Sequence, residues 1–414
     1  MDANVNVIYI METAYRKTVQ KAEETPEERT QRKAASFQDI EALMPALHRR
    51  SGSTLVDNVT SYLGKRNPFA KPVDPTEHVV WLFDNTAHQG PNGKWMVSVT
   101  SAFFVKGSGK DESRVVAKIA DAIGLADEAE ERKTVRERVQ PLMDTVLPSH
   151  TVEISLADKQ TFKLGPGDRD GISNDVLTFQ GTYEDGRTAT SEAIGIRGTP
   201  LTTTFATASG WAVISDIDDT IKKTMTSSPI GILRTTFVDE PEPIAGMPEL
   251  YKNIKQTLNN PPFWYLSASP YNLYPFLRKF RETYYPPGTM ILREASWMNL
   301  AGFLTSLTQG TEAYKVDRMD MVHNSFPTRK FLCIGDSTQS DPEAYGDVYR
   351  KYPGWVGAIF IRLVEDVEPV NEAEKNQPER FEKAFRDVPK NVWTVFSDPK
   401  ELWDKVARLG AAAV

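Results

Sequence analysis

The chain has 414 residues, with 49 basic and 56 acidic side chains and a formal net charge of -7. This acidic balance argues against a protein that coats nucleic acid through a basic surface. The composition, 40% hydrophobic and 25% charged, is that of a globular protein, and the length predicts two or three domains. The single cysteine, Cys333, excludes an internal disulfide and favours a reducing compartment, so we expect a cytoplasmic protein.

The sequence predicts no membrane-spanning segment. The longest strongly apolar stretch, Val356 to Val364, is far shorter than the roughly 20 residues that cross a bilayer. The N-terminus lacks the charged and then apolar order of a signal peptide. We therefore expect any contact with membranes to be that of a peripheral protein.

The N-terminal part, residues 1–70, is polar and helix-prone. Residues 21–34 are nearly all charged or polar, which indicates a solvated helix or a disordered arm. Residues 54–66 carry apolar side chains at helical spacing and end on Lys65 and Arg66. This segment is either a helix packed on the next domain or an interfacial helix beside anionic headgroups.

Two further domains are predicted after this arm. Residues 75–205 read as a β-sandwich-like domain with a helical insertion over 111–142. In residues 206–414, short apolar runs alternate with helical segments, which predicts an α/β domain whose parallel sheet is covered on both faces. The predicted strands are 211–215, 263–267, 289–294, 330–335, 357–364 and 391–396. The predicted helices are 247–259, 271–285, 311–325, 342–351, 378–386 and 399–408. Ligands bind at the carboxyl ends of such strands, so the polar residues that follow them are the candidates for function.

The first strand of this sheet ends in a group of carboxylates. Asp216, Asp218 and Asp219 fall within four positions and are followed by Thr220. Neighbouring carboxylates repel one another unless a cation or a basic group intervenes, and Mg²⁺ favours such oxygen ligands. The alternative is a capping cluster at a helix N-terminus.

Further polar residues lie at the ends of later strands. Ser267 ends the second strand and could bind a phosphate oxygen, with the amides of the next helix favouring an anion. Lys315 lies in a helical segment, Asp336 follows the strand KFLCIG, and Asp341 completes a G-D-x4-D spacing. Four such elements in this order rarely arise by chance.

This order of DxDxT, strand-end serine, lysine and GDxxxxD resembles the haloacid dehalogenase superfamily of phosphohydrolases. The segments ISDIDDTIK, YLSASPYNLYPFL and FLCIGDSTQSDPEAY are similar to the catalytic domain of the fungal actin patch phosphatidate phosphatases, over roughly residues 205–400. The resemblance implies a haloacid dehalogenase-like three-layer fold, and hydrolysis of phosphatidate to diacylglycerol and phosphate with Mg²⁺. It also implies phosphatidate in membranes as the ligand, and actin-patch or endocytic proteins as partners. The long proline-rich tail that would bind SH3 partners is not seen, which puts that partnership in doubt.

The resemblance also assigns roles to the site residues. Asp216 would be the nucleophile that forms an aspartyl-phosphate, and Asp218 would be the acid/base. Mg²⁺ would bind the carboxylates of Asp216 and Asp336 and the backbone carbonyl of Asp218. Ser267 and Lys315 would hold the transferring phosphoryl group.

Two more residues receive roles beside the reacting groups. Asp341 would orient either Lys315 or a metal-bound water, and Thr220 would brace the nucleophile loop. For both residues a purely structural role is an equal alternative.

Substrate binding is predicted for a second group of residues: Lys222, Lys223, Arg234 and Ser269. The segment after the nucleophile mixes its basic residues with apolar ones, Ile230, Ile232, Leu233 and Phe237. Either it grips a lipid headgroup and acyl chain together, or it is an ordinary flap whose apolar residues pack inward.

The gaps between the motifs leave little room for a separate cap domain, so we expect an open site. An open site suits a substrate embedded in a bilayer, and it suits a phosphoprotein equally well. The leading interpretation is a Mg²⁺-dependent phosphatidate phosphatase. The alternatives are a soluble or phosphoprotein phosphatase of the same superfamily, or a catalytically silent phosphatidate-binding module.

Overall fold

The computed structural model describes residues 67–90, 92–108, 113–124, 129–156, 160–293, 311–365 and 369–411. The predicted N-terminal arm and its 54–66 segment therefore lie almost entirely outside the described residues. Among the residues that are described, no helix is long and apolar enough to cross a membrane.

The N-terminal sheet is mixed and mostly antiparallel. Its strands are β1 (Lys71–Pro72), β2 (His78–Leu82), β3 (Asn85–Gln89), β4 (Trp95–Val105), β5 (His150–Leu156), β6 (Gln160–Leu164), β7 (Ile172–Phe179), β8 (Thr188–Ala193), β9 (Gly198–Thr199) and β10 (Leu201–Ala206). Eight of them run in the order β1-β5-β8-β10-β3-β4-β2-β9, with β6 beside β5 and β7 beside β4. The connection from β4 to β5 holds the helices α1 (Ser113–Ile123) and α2 (Ala129–Met143), where the sequence predicts a helical insertion.

The C-terminal sheet has six strands, and every pair of neighbours is parallel. Its strands are β11 (Trp211–Asp216), β12 (Phe263–Pro270), β13 (Thr289–Arg293), β14 (Lys330–Asp336), β15 (Val356–Arg362) and β16 (Trp393–Phe396), in the order β13-β12-β11-β14-β15-β16. Its helices are α3 (Pro229–Phe237), α4 (Met247–Thr257), α5 (Tyr274–Tyr284), α6 (Thr311–Ser325), α7 (Asp341–Lys351), α8 (Pro369–Lys375), α9 (Pro378–Ala384) and α10 (Trp403–Ala411). The predicted α/β architecture with a parallel sheet is confirmed, whereas α3 and α8 were not predicted as elements.

Burial explains why these strands form. All six residues of β11 are buried, because α4 and α5 pack on one face of the sheet and α6 and α7 pack on the other. The strands β11, β12 and β14 are neighbours at the centre of the sheet. Their carboxyl ends meet at one edge, which brings together the polar residues that follow them.

A buried ion pair joins the N-terminal sheet to helix α5, which packs on the C-terminal sheet. Asp84, between β2 and β3, lies 2.8 Å from Arg281 and 3.3 Å from Arg278, both on α5. The Asp84 and Arg281 side chains are only 1% and 2% exposed. Neither charge is accessible to water, so both must be stabilised by protein groups. Arg281 also contacts Glu282 at 3.4 Å, and Asp84 also accepts from the backbone N–H of Thr202 at 2.7 Å.

We expect Asp84→Ala to destabilise the protein by about 3–5 kcal/mol, because the buried guanidinium groups of Arg278 and Arg281 would keep only Glu282, whose side chain is 52% exposed, as the carboxylate beside them. Urea denaturation measures this loss. The control is Glu382→Ala, which removes an ion pair with Lys390 whose side chains are 65% and 70% exposed. Equal stability of the two variants would show that the ion pair of Asp84 does not stabilise the contact between the N-terminal sheet and α5.

Candidate active site

Three neighbouring strand ends converge on one point. Asp216 ends β11, Ser267 lies in β12, and Asp336 ends β14. Asp216 pairs with Leu266 in the β11–β12 register, so Ser267 is one residue beyond it. All three side chains are at least 99% buried.

Lys315 is the cation at the centre of this cluster. Its Nζ lies 2.7 Å from Asp216 Oδ1 and 2.6 Å from Asp341 Oδ1, and all three side chains are buried. Burial opposes its charge, but Asp216 and Asp341 outweigh burial and raise the pKa of Lys315. The second oxygen of Asp341 accepts a hydrogen bond from the backbone N–H of Asp336 at 3.2 Å. Asp341 therefore holds Lys315 and the Asp336 loop in place, which is one of the two roles considered for it.

Asp218 lies in different surroundings. Ser267 Oγ donates to Asp218 Oδ2 at 2.5 Å, and Thr224 Oγ1 donates to Oδ1 at 2.9 Å. The backbone N–H of Ser269 donates to Ser267 Oγ at 2.9 Å. The structure thus places Ser267 against Asp218, with Ser269 supporting it through the main chain.

The third carboxylate of the first motif, Asp219, holds a turn. It adopts a positive φ of 58°, and its carboxylate accepts from the backbone N–H groups of Thr224, Met225 and Thr226 at 2.6–2.9 Å. Its backbone carbonyl accepts from Arg362 Nη1 at 2.8 Å. The negative charge of Asp219 is therefore satisfied within its own loop.

Asp216, Asp336 and Asp341 each offer a carboxylate oxygen within 4.8 Å of the others. Thr220 Oγ1 bridges two of them, at 3.4 Å from Asp216 and 3.3 Å from Asp336. Burial raises the pKa of the Asp216 carboxyl, with Lys315 acting against it, while burial and Asp341 raise the pKa of Asp336 to about 7. One lysine cannot balance this many buried carboxylates, and the donor set is the one that hard divalent cations such as Mg²⁺ prefer.

The structure does not gather all of the predicted substrate-binding residues. Lys222 is buried beside Thr224. Lys223 instead faces Glu242 at 3.7 Å, and Arg234 pairs with Asp239 at 3.1 Å, with all four side chains at least partly exposed.

The apolar residues of the same segment lie on α3 and are all buried: Ile230, Ile232, Leu233 and Phe237. They belong to the core that also contains residues of α1 and α2. The inward-packing alternative is therefore the correct one, and the prediction that these side chains grip an acyl chain is wrong, because they contact protein.

Sequence reasoning missed several contacts of the site. Thr338 donates its backbone N–H to Asp336 Oδ1 at 2.6 Å, and Lys375 Nζ donates to the Thr338 carbonyl at 2.5 Å. Thr224 and Thr226 bind the aspartates of the first motif. The run of hydroxyl residues from 224 to 228 was the available signal for the threonines, whereas Lys375 lies in α8, far along the chain.

We expect Asp336→Asn to stabilise the metal-free protein at neutral pH. Folding raises the pKa of Asp336 to about 7. The folded protein therefore binds the proton of the Asp336 carboxyl more tightly than the unfolded chain does. The free energy of unfolding of the parent protein should then fall as the pH rises from about 4 to 7. Chemical denaturation at a series of pH values, in the presence of EDTA, measures this. The variant should lose part of that pH dependence and part of any stabilisation by Mg²⁺. An unchanged pH profile would contradict the view that ionising the buried Asp336 carboxyl lowers the stability of the protein.

Comparisons with known proteins agree with this geometry. Residues 211–363 match the family model described as the phosphatidate phosphatase APP1 catalytic domain. The phosphatidate phosphatase APP1 of Saccharomyces cerevisiae is 26% identical over 246 residues, covering 56% of this chain and 41% of that protein. The uncharacterized protein C29B5.04c of Schizosaccharomyces pombe is 28% identical over 163 residues, covering 37% of this chain and 25% of that protein.

The chain thus spans less than half the length of either relative. The matched segment, 211–363, contains Asp216, Asp218, Asp336 and Asp341 together with Lys315. The resemblance seen in the sequence is confirmed: over the segment that carries its aspartate cluster, this chain is similar to the APP1 family of phosphatidate phosphatases.

Proposed function

We propose that the protein is a Mg²⁺-dependent phosphatidate phosphatase of haloacid dehalogenase-like fold. The observation that carries the proposal is the contrast between two buried aspartates two positions apart. Asp216 contacts the ammonium of Lys315, whereas Asp218 contacts only hydroxyl groups among its side-chain hydrogen-bond donors. The ammonium beside Asp216 opposes the effect of its burial and favours a carboxylate that can attack, whereas Asp218, held by hydroxyl groups, is placed for the acid/base role.

The proposed reaction has two steps. A carboxylate oxygen of Asp216 attacks phosphorus, and the bond from phosphorus to the ester oxygen breaks as Asp218 gives that oxygen its proton. A water molecule then loses a proton to Asp218 while its oxygen attacks the phosphorus of the aspartyl-phosphate, and the bond from phosphorus to the Asp216 oxygen breaks. Phosphate leaves, and both aspartates return to their first state.

The other residues support this chemistry. Lys315 lies within reach of the Asp216 carboxylate, where it can hold a phosphate oxygen, and Asp341 keeps it there. Ser267 would hold the same phosphoryl group as well as Asp218. Mg²⁺ held by Asp216, Asp336 and the backbone carbonyl of Asp218 would offset repulsion between the nucleophile and the phosphate dianion.

The lipid substrate is supported by the similarity to the yeast relative, which is a phosphatidate phosphatase. Peripheral membrane association and actin-patch or endocytic partners, which the sequence resemblance implies, are part of the same proposal. The presence of both Asp216 and Asp218 in a bonded network counts against a catalytically silent lipid-binding module.

One observation favours the soluble or phosphoprotein phosphatase. A cleft of about 900 Å³ reaches Thr226 and Thr338, which bind Asp219 and Asp336. Apart from Ala384, every residue that lines it is polar or charged. Such a lining suits a polar substrate better than an acyl chain.

We expect Asp216→Asn to lower turnover at least 1,000-fold, because the amide cannot act as the nucleophile. Phosphate release from phosphatidate in mixed micelles measures this. The matched control is Asp404→Asn, the same change at an exposed position of α10, which should leave the rate unchanged. Retained activity in Asp216→Asn, with the control intact, would refute the nucleophile assignment.

The same assay, run with and without Mg²⁺ and beside a soluble phosphomonoester, tests the substrate. We expect release to stop in EDTA, to return with Mg²⁺, and to favour phosphatidate at least tenfold in kcat/KM. Preference for the soluble ester would support the polar-substrate alternative. Binding of phosphatidate without any release would support the silent module.

A further inference from the structure

Lys222 was predicted to bind substrate, but the structure places it inside the protein. Its side chain is buried, with the residue 1% exposed. Its Nζ lies 3.2 Å from Thr224 Oγ1, 3.2 Å from the Lys223 carbonyl oxygen, and 5.6 Å from the centre of the Phe276 ring. A buried lysine that directs its donors to protein oxygens needs a different explanation from a surface lysine that meets a headgroup.

The contact with Thr224 fixes the direction of a hydrogen-bond chain. An ammonium group can only donate, so Thr224 Oγ1 must accept from Lys222. The hydroxyl hydrogen of Thr224 is then free to be donated to Asp218 Oδ1, 2.9 Å away. Ser267 Oγ donates to the other oxygen, Oδ2, at 2.5 Å. Both oxygens of Asp218 are therefore oriented from within the protein.

Thr224 itself is held on three sides. Its backbone N–H donates to Asp219 Oδ1 at 2.9 Å, and its carbonyl accepts from Thr235 Oγ1 on α3 at 2.9 Å. Its side chain lies between Lys222 and Asp218. The nearest acceptor of its hydroxyl is Asp218 Oδ1, at 2.9 Å, while the Lys222 carbonyl oxygen lies at 3.4 Å. The shorter contact favours the orientation toward Asp218, which is the condition for fixing a neighbouring carboxyl group.

We propose that Lys222 and Thr224 are positioning residues that orient the Asp218 carboxyl toward the leaving-group oxygen. The proposal rests on the proposed function, since it assumes that Asp218 gives a proton to that oxygen. Neither residue needs to touch the substrate: Lys222 orients the Thr224 hydroxyl, and that hydroxyl orients Asp218.

The proposal predicts a dependence on the leaving group. An alkoxide is a strong base and needs a proton as it departs, so its release depends on where Asp218 points. A nitrophenolate is a weak base and departs without that proton. Loss of the positioning contact should therefore slow the hydrolysis of alkyl phosphates and spare that of nitrophenyl phosphate.

The test compares Lys222→Met and Thr224→Val with the parent enzyme. The measured quantity is kcat/KM with Mg²⁺ for dioctanoyl phosphatidate in mixed micelles, glycerol 3-phosphate and p-nitrophenyl phosphate. We expect about a 10- to 100-fold loss for the alkyl esters, a part of the ~100- to 10,000-fold that acid/base catalysis supplies, and less than about a threefold loss for the nitrophenyl ester. Thr224→Ser, which keeps the hydroxyl, should retain most of the activity on all three.

The controls are matched in residue type. Thr203→Val makes the same change at a buried threonine of the N-terminal sheet whose hydroxyl has no hydrogen-bond partner within the described structure. Lys252→Met makes the same change as Lys222→Met, but at an exposed lysine of α4. Neither control should change the ratio of alkyl to aryl hydrolysis.

An equal loss on all three substrates, or no loss on any, would overturn the positioning role. If Lys222→Met fails to fold, as judged by thermal unfolding, Thr224→Val decides the matter because valine has nearly the shape of threonine. A parent enzyme that cleaves glycerol 3-phosphate but not phosphatidate would refute the lipid substrate alone, and the alkyl-to-aryl comparison would still test Lys222 and Thr224. A parent enzyme that cleaves no phosphomonoester would overturn both proposals.

Discussion

The structure depends on the cost of placing several aspartates out of water at one edge of a parallel sheet. Asp216, Asp218, Asp336 and Asp341 are all at least 98% buried, and Lys315 contacts two of them. The rest of the domain reduces the remaining repulsion. Ser267 and Thr224 donate to Asp218. The backbone N–H of Asp336 donates to Asp341, and that of Thr338 donates to Asp336. The negative charge that remains favours the binding of a divalent cation. A bound cation would in turn lower the electrostatic repulsion between the aspartates and an incoming phosphoryl group.

Much of the C-terminal fold could be predicted because its signals are local. Strands buried on both faces read as continuous apolar runs, and β11, β12 and β14 were placed to within a few residues. The rule that ligands bind at carboxyl ends of strands then pointed to the right aspartates. Helix α3 was missed because its segment mixes basic and apolar residues, and only tertiary packing shows that its apolar side chains face the core.

The separate roles of the three aspartates of the first motif could not be predicted from their spacing in the sequence. Asp216, Asp218 and Asp219 have the same chemistry and lie within four positions. Their roles diverge because their side-chain partners differ: α6 supplies the partner of Asp216, β12 and the loop after β11 supply those of Asp218, and that loop alone supplies those of Asp219. The same reason explains Lys222, whose charge suggested a surface role and whose burial beside Phe276 is a tertiary fact.

The packing of α1 and α2 against α3 bears on where this protein can be divided. These two helices belong in sequence to the N-terminal sheet, yet their apolar side chains share one core with α3, and Arg138 of α2 donates to the Asp239 carbonyl at 2.6 Å. The family match begins at residue 211, after both helices. A fragment cut at that point would expose the apolar side of the helix that follows the nucleophile, and it would lose the arginine that holds the loop beyond it. The boundary drawn by similarity therefore cuts through a hydrophobic core that α1, α2 and α3 share, and the matched segment alone lacks part of the packing that surrounds its own helix.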